Sequence, residues 1–378
     1  MINLHVFPDF LVHASRVRRM TATAADTGLY THVVIAGRTG HGLPEAERLD
    51  TCRSIVRLPG PRHRQFLLRS AEFFAWNYAV VRQFWDSRIA MINCHSLSAL
   101  PACVALKRRH KAPLIYEPHE LESATSRMGS TASATVRHFE RLMLRDVDHV
   151  ILVSDSIRDW YRVNQKVQSC STVPNCPPLT EARQSDYLRQ TFGIAEERAI
   201  FLYHGILNRG RGIERLLEAF HQDGMNAELV LLGYGPLSPE GLRSDRNVHW
   251  HPGAPPDCLL NIAASADFGV SMIEPVSLSY EYCLPTKLFD YIMARRPVMV
   301  SDTVEQAKLV REFNIGLVVN HKSTEAIRSA VEQLVVRGRS GYEAGLEEAR
   351  TRFCWERFET RIRDLHSRLL GDRRDPSD

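Results

Sequence analysis

No CxxC pair and no Cys/His cluster at zinc spacing occurs in this 378-residue sequence; its eight cysteines are scattered at positions 52, 94, 103, 170, 176, 258, 283 and 354. Spacing therefore gives neither a disulfide framework nor a zinc module, and reduced, mostly buried thiols are expected. Long apolar runs are missing too. Nothing approaches the roughly 20 uncharged residues of a membrane-spanning helix, and MINLHVFPDFLVHASRVRR meets charges after a short apolar start. The expectation is a soluble, cytoplasmic protein without an export signal. There is also no short-period repeat, no low-complexity tract and no Walker GxxxxGK[ST] loop, which sets aside solenoids and P-loop nucleotidases.

What is present is length enough for two cores and a regular alternation of short β-rich runs with helical stretches, the pattern of parallel α/β architecture. Strands are predicted at Asn3–Phe7, His32–Ala36, Ser54–Leu58, Ile89–Cys94, Pro113–Tyr116 and His149–Val153. Pro174, Pro177 and Pro178 in STVPNCPPLTEARQSDY then break regular structure and mark a linker. The pattern restarts with AIFLYHG, ELVLLGYG, FGVSMIEP, PVMVSD and IGLVVN. From Trp355 a helix places Trp355, Phe358, Ile362, Leu365 and Leu369 on one face, which needs a groove to lie in. The division is thus 1–178, 179–354, a helix over 355–370 and a frayed tail over 371–378.

Charge is uneven along the chain. Arg53 to Lys111 holds eleven positive residues and two acids, Glu72 and Asp86, interleaved with Phe66, Phe73, Phe74, Trp76, Tyr78, Phe84 and Trp85. This stretch is expected to meet an anionic surface, membrane before nucleic acid because no nucleic-acid recognition module is present. A partly buried helix whose aromatics belong to the core is the competing reading.

Two segments carry the chemistry. AIFLYHGILNRGRGIERLLEAF reads as a strand, a glycine-rich basic loop and an amphipathic helix, so that backbone N–H groups, the helix N-terminus, Arg209 and Arg211 can face a diphosphate. An ordinary turn with solvated arginines would leave the same letters. LVLLGYGP ends a strand at Gly233 and Gly235, where backbone can approach a ligand or make a tight turn. In EYCLPTKLFDYIMARRPVMVSD a loop delivers Glu281, Pro285 opens a helix, and Leu288, Ile292 and Met293 face the core, so that Lys287 and Asp290 emerge elsewhere. An ammonium there can neutralise phosphate and a carboxylate can accept ribose hydroxyls. Asp146-Val147-Asp148 offers a DxD pattern, but a helix end running into HVILVS favours a turn.

In order along nearly the whole chain, these segments resemble a family 4-type retaining glycosyltransferase. LPTKLFDYIMARRPVMVSD is similar to the family's P-x-K-L-F-E-Y-M-A-x-G-x-P-V segment, LYHGILNRGRGIERLLEAF to its phosphate loop with Arg211-Gly212 at the usual Lys-Gly, and LVLLGYGP to its nucleobase-side turn. ADFGVSMIEP, LIYEPHELES, HVILVSDSI, VPNCPP and FCWERFETRI resemble further family segments. Three positions depart from the pattern: Asp290 replaces a Glu, Tyr282 stands where the first Glu of the family pair falls with Glu281 beside it, and Ile206 replaces the usual Arg.

The resemblance implies a GT-B fold: two Rossmann-like doubly wound domains facing a central cleft, with the C-terminal helix crossing back to the first. It implies transfer of a sugar from a UDP- or GDP-linked donor to a glycan or polyprenyl-linked acceptor, with retention, without a metal or cofactor, in polysaccharide or glycolipid synthesis. Arg209, Arg211, Gly212, Gly233, Gly235, Lys287 and Asp290 would hold the donor. His119 and Glu281 would face the reacting sugar, and Arg16 the acceptor. A sugar-nucleotide epimerase or a non-catalytic nucleotide- or glycan-binding protein would use the same architecture. The expected location is the cytoplasm, with peripheral attachment at the inner face of the plasma membrane through residues 53–111.

Overall fold

A computed structural model describes residues 1–40, 42–60, 66–124, 130–238 and 244–371. The expected tail over 371–378, apart from Gly371, which ends the last helix, and the basic residues Arg62 and Arg64 lie outside them. The chain forms two compact units, Met1–Val173 with the segment from Phe358 onward, and Pro174–Arg357. Proline at 174 ends the last strand of the first unit, since its ring fixes φ and removes the N–H that a ladder needs.

The first unit is built on eight strands: β1 (Ile2–Val6), β2 (His32–Arg38), β3 (Ala46–Arg48), β4 (Arg53–Leu58), β5 (Ile89–Cys94), β6 (Leu114–Tyr116), β7 (His149–Leu152) and β8 (Cys170–Thr172). Their order is β3-β4-β2-β1-β5-β6-β7-β8, parallel except for the short β3. The short strands β3 and β8 carry no apolar run and were not legible as strands. Central strands buried on both faces read as continuous apolar segments, and all six residues of β5 are buried. The helix Trp355–Gly371 spans the return to this unit. Ile362 and Leu365 are buried on its apolar face, and the Tyr30 hydroxyl meets His366 Nδ1 at 2.9 Å.

The helix Phe66–Phe84 shows two characters. Trp76, Val80 and Phe84 are buried, and the Trp76 indole donates to the Gly37 carbonyl at 3.3 Å. Phe74, Tyr78 and the following Trp85 stay exposed. The basic stretch is not a uniform field. Arg57 is buried and bonded to Glu47, Arg53 pairs with Asp50, and Lys107 and Arg108 pair with Asp148 and Asp146. Those pairs occupy both carboxylates of the DxD pattern, and Asp148 also accepts from the Leu114 N–H at 2.7 Å.

The second unit carries β9 (Ala199–His204), β10 (Ala227–Leu232), β11 (Ser244–Asp245), β12 (Val248–His251), β13 (Phe268–Ser271), β14 (Val298–Ser301) and β15 (Gly316–Val319). The order is β11-β12-β10-β9-β13-β14-β15, parallel except for β11. Phe201 and Phe268 stack across the sheet centre with ring centroids 4.8 Å apart. Among the described residues no helix is long and apolar enough to cross a membrane.

Candidate functional site

In each sheet the strand order turns around a central strand, β1 in the first unit and β9 in the second. Open α/β sheets bind ligands in the crevice outside the carboxyl ends of the strands at such a point. Candidate side chains collect there in both units.

In the second unit the loop after β9 runs against the end of β13. Gly212 has φ 71°, and a Cβ on it would lie 2.3 Å from the Met272 carbonyl oxygen. Only glycine lets this loop turn there into the helix Ile213–Phe220, whose N-terminus has no side-chain cap and so keeps unsatisfied N–H groups. Gly233 serves a related close approach: a Cβ there would sit 1.9 Å from the Gly205 carbonyl oxygen. The turn through Gly235 is tied to the same loop by the Leu207 N–H, which donates to Tyr234 at 2.8 Å. Both glycines thus act on the shape of the loop.

The helix Thr286–Met293 follows Pro285, which supplies an extended N-cap. Its Tyr291 hydroxyl donates to the Leu202 carbonyl at 2.7 Å and accepts from the His204 N–H at 3.2 Å, pinning the helix to β9. That fixes Lys287 and Asp290. Lys287 is buried, its Nζ lies 3.5 Å from the Tyr203 ring centroid, and it makes no hydrogen bond. Burial, and then the neighbouring Arg211, push this amine well below the ordinary lysine value. Arg211 itself lies over Tyr280 at 4.7 Å. Asp290 Oδ2 is 3.6 Å from His204 Nε2, and burial followed by the Lys287 charge holds His204 at about 3, hence neutral. Arg209 is exposed on the loop. Glu281 closes the short helix Leu278–Glu281 and is half-buried, its carboxylate without a hydrogen bond or ion pair among the described residues.

The first unit collects a different set. Arg16, on the helix Ser15–Asp26, is buried and its Nε donates to Glu117 Oε1. Glu117 is fully buried, with its other oxygen, Oε2, 3.5 Å from His95 Nδ1. His119 Nε2 lies 3.8 Å from Glu117 Oε1 on a side chain that is 28% exposed. Burial, then the Arg16 charge, hold His95 at about 3, and burial dominates for His119, also at about 3. Behind them a buried chain runs through the sheet: His95 Nε2 to His5 Nδ1 at 2.8 Å, His5 Nε2 to Asn3 Oδ1 at 2.6 Å, and Asn3 Nδ2 to Asn93 Oδ1 at 2.7 Å. Arg16, expected to face an acceptor, is thus engaged with Glu117.

The structure brings Arg211, Gly212, Lys287 and Asp290 together on one unit and Arg16 and His119 on the other. Sequence reasoning passed over His5, His95 and Glu117 as site residues, and also Tyr203, His204 and Tyr280. A signal for the first group existed: Asn3, His5 and Asn93 interrupt otherwise apolar strands, and interior polar groups of that kind need partners.

Residues 13–176 match the Glycosyl transferase 4-like domain, and residues 216–337 match the Glucosyltransferase 3-like, C-terminal domain. A curated relative, the lipopolysaccharide 1,2-N-acetylglucosaminetransferase of Salmonella typhimurium, is 31% identical over 101 residues, which cover 25% of this chain and 26% of the relative. Among solved structures, sucrose-phosphate synthase from Thermosynechococcus elongatus superposes with a TM-score of 0.82 at 17% identity, covering 98% of this chain and all of that one. HepE of Anabaena, solved in complex with UDP-glucose, gives 0.72 at 13% identity with 98% and 100% coverage. The low identities of these structures speak for the fold alone. Two glycosyltransferase domains in succession, a Glycosyl transferase 4-like domain and a Glucosyltransferase 3-like, C-terminal domain, each lie on a doubly wound sheet, in a chain with the GT-B fold.

Proposed function

We propose that the protein transfers a sugar from a nucleotide-sugar donor to a glycan or polyprenyl-linked acceptor in polysaccharide or glycolipid synthesis, with retention at the anomeric carbon. The observation that carries this reading is Lys287, an ammonium buried beside Arg211 without a hydrogen-bonded counter-charge. A buried cation without a hydrogen-bonded partner, its charge offset only in part by Asp290, is costly, and it is kept where an anion completes the site. Two helix N-termini, at Ile213 and Thr286, open at the same crevice, so a diphosphate has both formal charge and backbone donors to meet.

In this reading Lys287, Arg211 and the exposed Arg209 neutralise the charge that develops on the departing nucleoside diphosphate, which is where transition-state stabilisation counts most. No metal is needed at that position. Asp290 accepts from the ribose hydroxyls, beside His204, which burial keeps neutral. His119 and Glu281 are assigned to the reacting sugar and Arg16 to the acceptor side. The donor is UDP- or GDP-linked; the UDP-glucose complex of HepE supports the former. Exposed Phe74, Tyr78 and Trp85 fall at helical spacing on one face with Arg82 between them, and this face attaches to anionic membrane at the cytoplasmic side.

Thermal unfolding of the chain with UDP, GDP, ADP and their sugars tests the central claim. A ligand at one hundred times its dissociation constant adds about 2.7 kcal/mol, so one nucleotide class stands out. A flat response to every nucleotide overturns the reading. Sedimentation with vesicles containing acidic lipid, against Phe74→Ser/Tyr78→Ser, tests the membrane face separately.

A further inference from the structure

The hydrogen-bond chain behind His95 fixes its protons. The Asn3 amide donates through Nδ2 to both the Met91 carbonyl, at 3.2 Å, and Asn93 Oδ1, so its Oδ1 must accept, and the donor is His5 Nε2–H. A neutral His5 then accepts at Nδ1, which assigns the next proton to His95 Nε2. His95 is left with a lone pair at Nδ1, aimed at the Glu117 oxygen 3.5 Å away. Two acceptors face each other there. His95 Nδ1, Glu117 Oε2 and His119 Nε2 are all buried without a hydrogen-bond partner.

An acceptor-only cluster of this kind is what a cation requires. The three residues each offer one ligand atom, all within 4.8 Å of one another. Ligand atoms around a tetrahedral zinc, at about 2.0–2.2 Å from the ion, stand roughly 3.4 Å apart. The His95–Glu117 edge has that length already, and His119, at the exposed side, closes the third position by a small shift. The surroundings supply what metal-binding histidines and carboxylates need behind them: His5 takes the far proton of His95, and Arg16 holds Glu117 through Oε1. The Arg16 charge opposes any cation here, which disfavours magnesium or calcium and selects an ion bound through its affinity for imidazole. The same guanidinium has two buried nitrogens, Nη1 and Nη2, without partners, and these can donate to an anionic fourth ligand.

We propose that His95, Glu117 and His119 bind one divalent transition-metal ion of the imidazole-preferring class, with zinc the first choice. The assignment draws on none of the donor-corner residues, but it shares His119 with the transferase reading, since a metal-bound His119 Nε2 is not free to contact the reacting sugar. Occupancy would make His119 Nε2 a metal ligand while leaving the donor corner of the other unit unchanged.

The test uses the full chain without a polyhistidine tag. After chelator treatment and dialysis, titration with Zn²⁺, followed by elemental analysis, is expected to return about one equivalent per chain and a rise in thermal midpoint. Co²⁺ should give the visible absorption of a nitrogen- and oxygen-ligated site. His119→Gln, at the exposed rim, and His95→Gln should each weaken binding by more than about tenfold. Cys52→Ser/Cys258→Ser, removing the exposed thiols, should leave it unchanged. Zn²⁺ that neither binds stoichiometrically nor shifts the midpoint overturns the proposal. Binding that survives His119→Gln at full strength, or is lost with the two thiols, overturns it equally. None of these readings involves a nucleotide sugar, so their failure is separable from failure of the transferase assignment.

Discussion

The two units share a topology and put opposite chemistry at the same place in it. Around the end of β9, positive charge accumulates: Lys287 and Arg211 share one corner, and Lys287 makes no hydrogen bond to a carboxylate. Around the ends of β1, β5 and β6, lone pairs accumulate: neutral His95 and His119 stand beside a Glu117 whose charge is spent on Arg16. The sheet crevice is thus a neutral frame. What it binds is decided by which side chains stand at the last residues of its strands, and electrostatics, not architecture, separates the halves.

That contrast can be broken first at Arg16. Arg16→Met strands a buried carboxylate, and we expect a loss of about 3–5 kcal/mol in the unfolding free energy, read by urea denaturation. Arg16→Met/Glu117→Leu should restore most of it, because the uncompensated charge is then gone. Lys287→Met should act in the opposite sense. It removes a charge that burial disfavours, so stability rises by about 1 kcal/mol, while nucleotide affinity falls about 100-fold, as expected for loss of a charge-assisted contact. A destabilised Lys287→Met would show that the ammonium is a structural element, and the contrast between the units would collapse.

A smaller effect separates loop shape from charge. Gly212→Ala forces a Cβ toward the Met272 carbonyl oxygen in a left-handed backbone, and should cost about 1–3 kcal/mol with weaker nucleotide binding. The smallest prediction concerns Glu122, whose carboxylate accepts from the Ser96 hydroxyl at 2.8 Å and the Leu97 N–H at 3.1 Å. Burial raises it from 4.5 to about 8 despite these donors. The folded state then holds a proton that the unfolded state releases, so this group makes stability fall as pH rises from its unfolded value toward 8, and the slope ends above it. Glu122→Gln should flatten the stability profile in that window, measured by denaturant midpoints across pH.

The two sites were unequally legible in the sequence for a reason of chain geometry. The cationic corner is written mainly in two contiguous runs, GILNRGRG and PTKLFD, where a loop and a helix start declare themselves by glycine, proline and charge. The other cluster is assembled from residues 3–5, 16, 93–95 and 117–119, which only a parallel sheet brings side by side. Its members look like isolated polar intrusions until the register pairs His5 with Asn93. Glu281, which stands beside a family position, has no partner among the described residues to fix a role. The basic stretch over 53–111 read as one patch because ion pairs with Glu47, Asp50, Asp146 and Asp148 are invisible along the chain. The strands were read well where they are buried on both faces and poorly at the short β3 and β8.

The single phenol oxygen of Tyr291 has a practical consequence. It touches the backbone of two adjacent strands and carries the helix that presents Lys287 and Asp290, so the helix is referenced to the sheet and not to its bound ligand. Libraries aimed at a new donor can therefore vary the exposed Ile206, whereas Tyr291→Phe would let the whole gripping helix drift and blur every selectivity the library had gained.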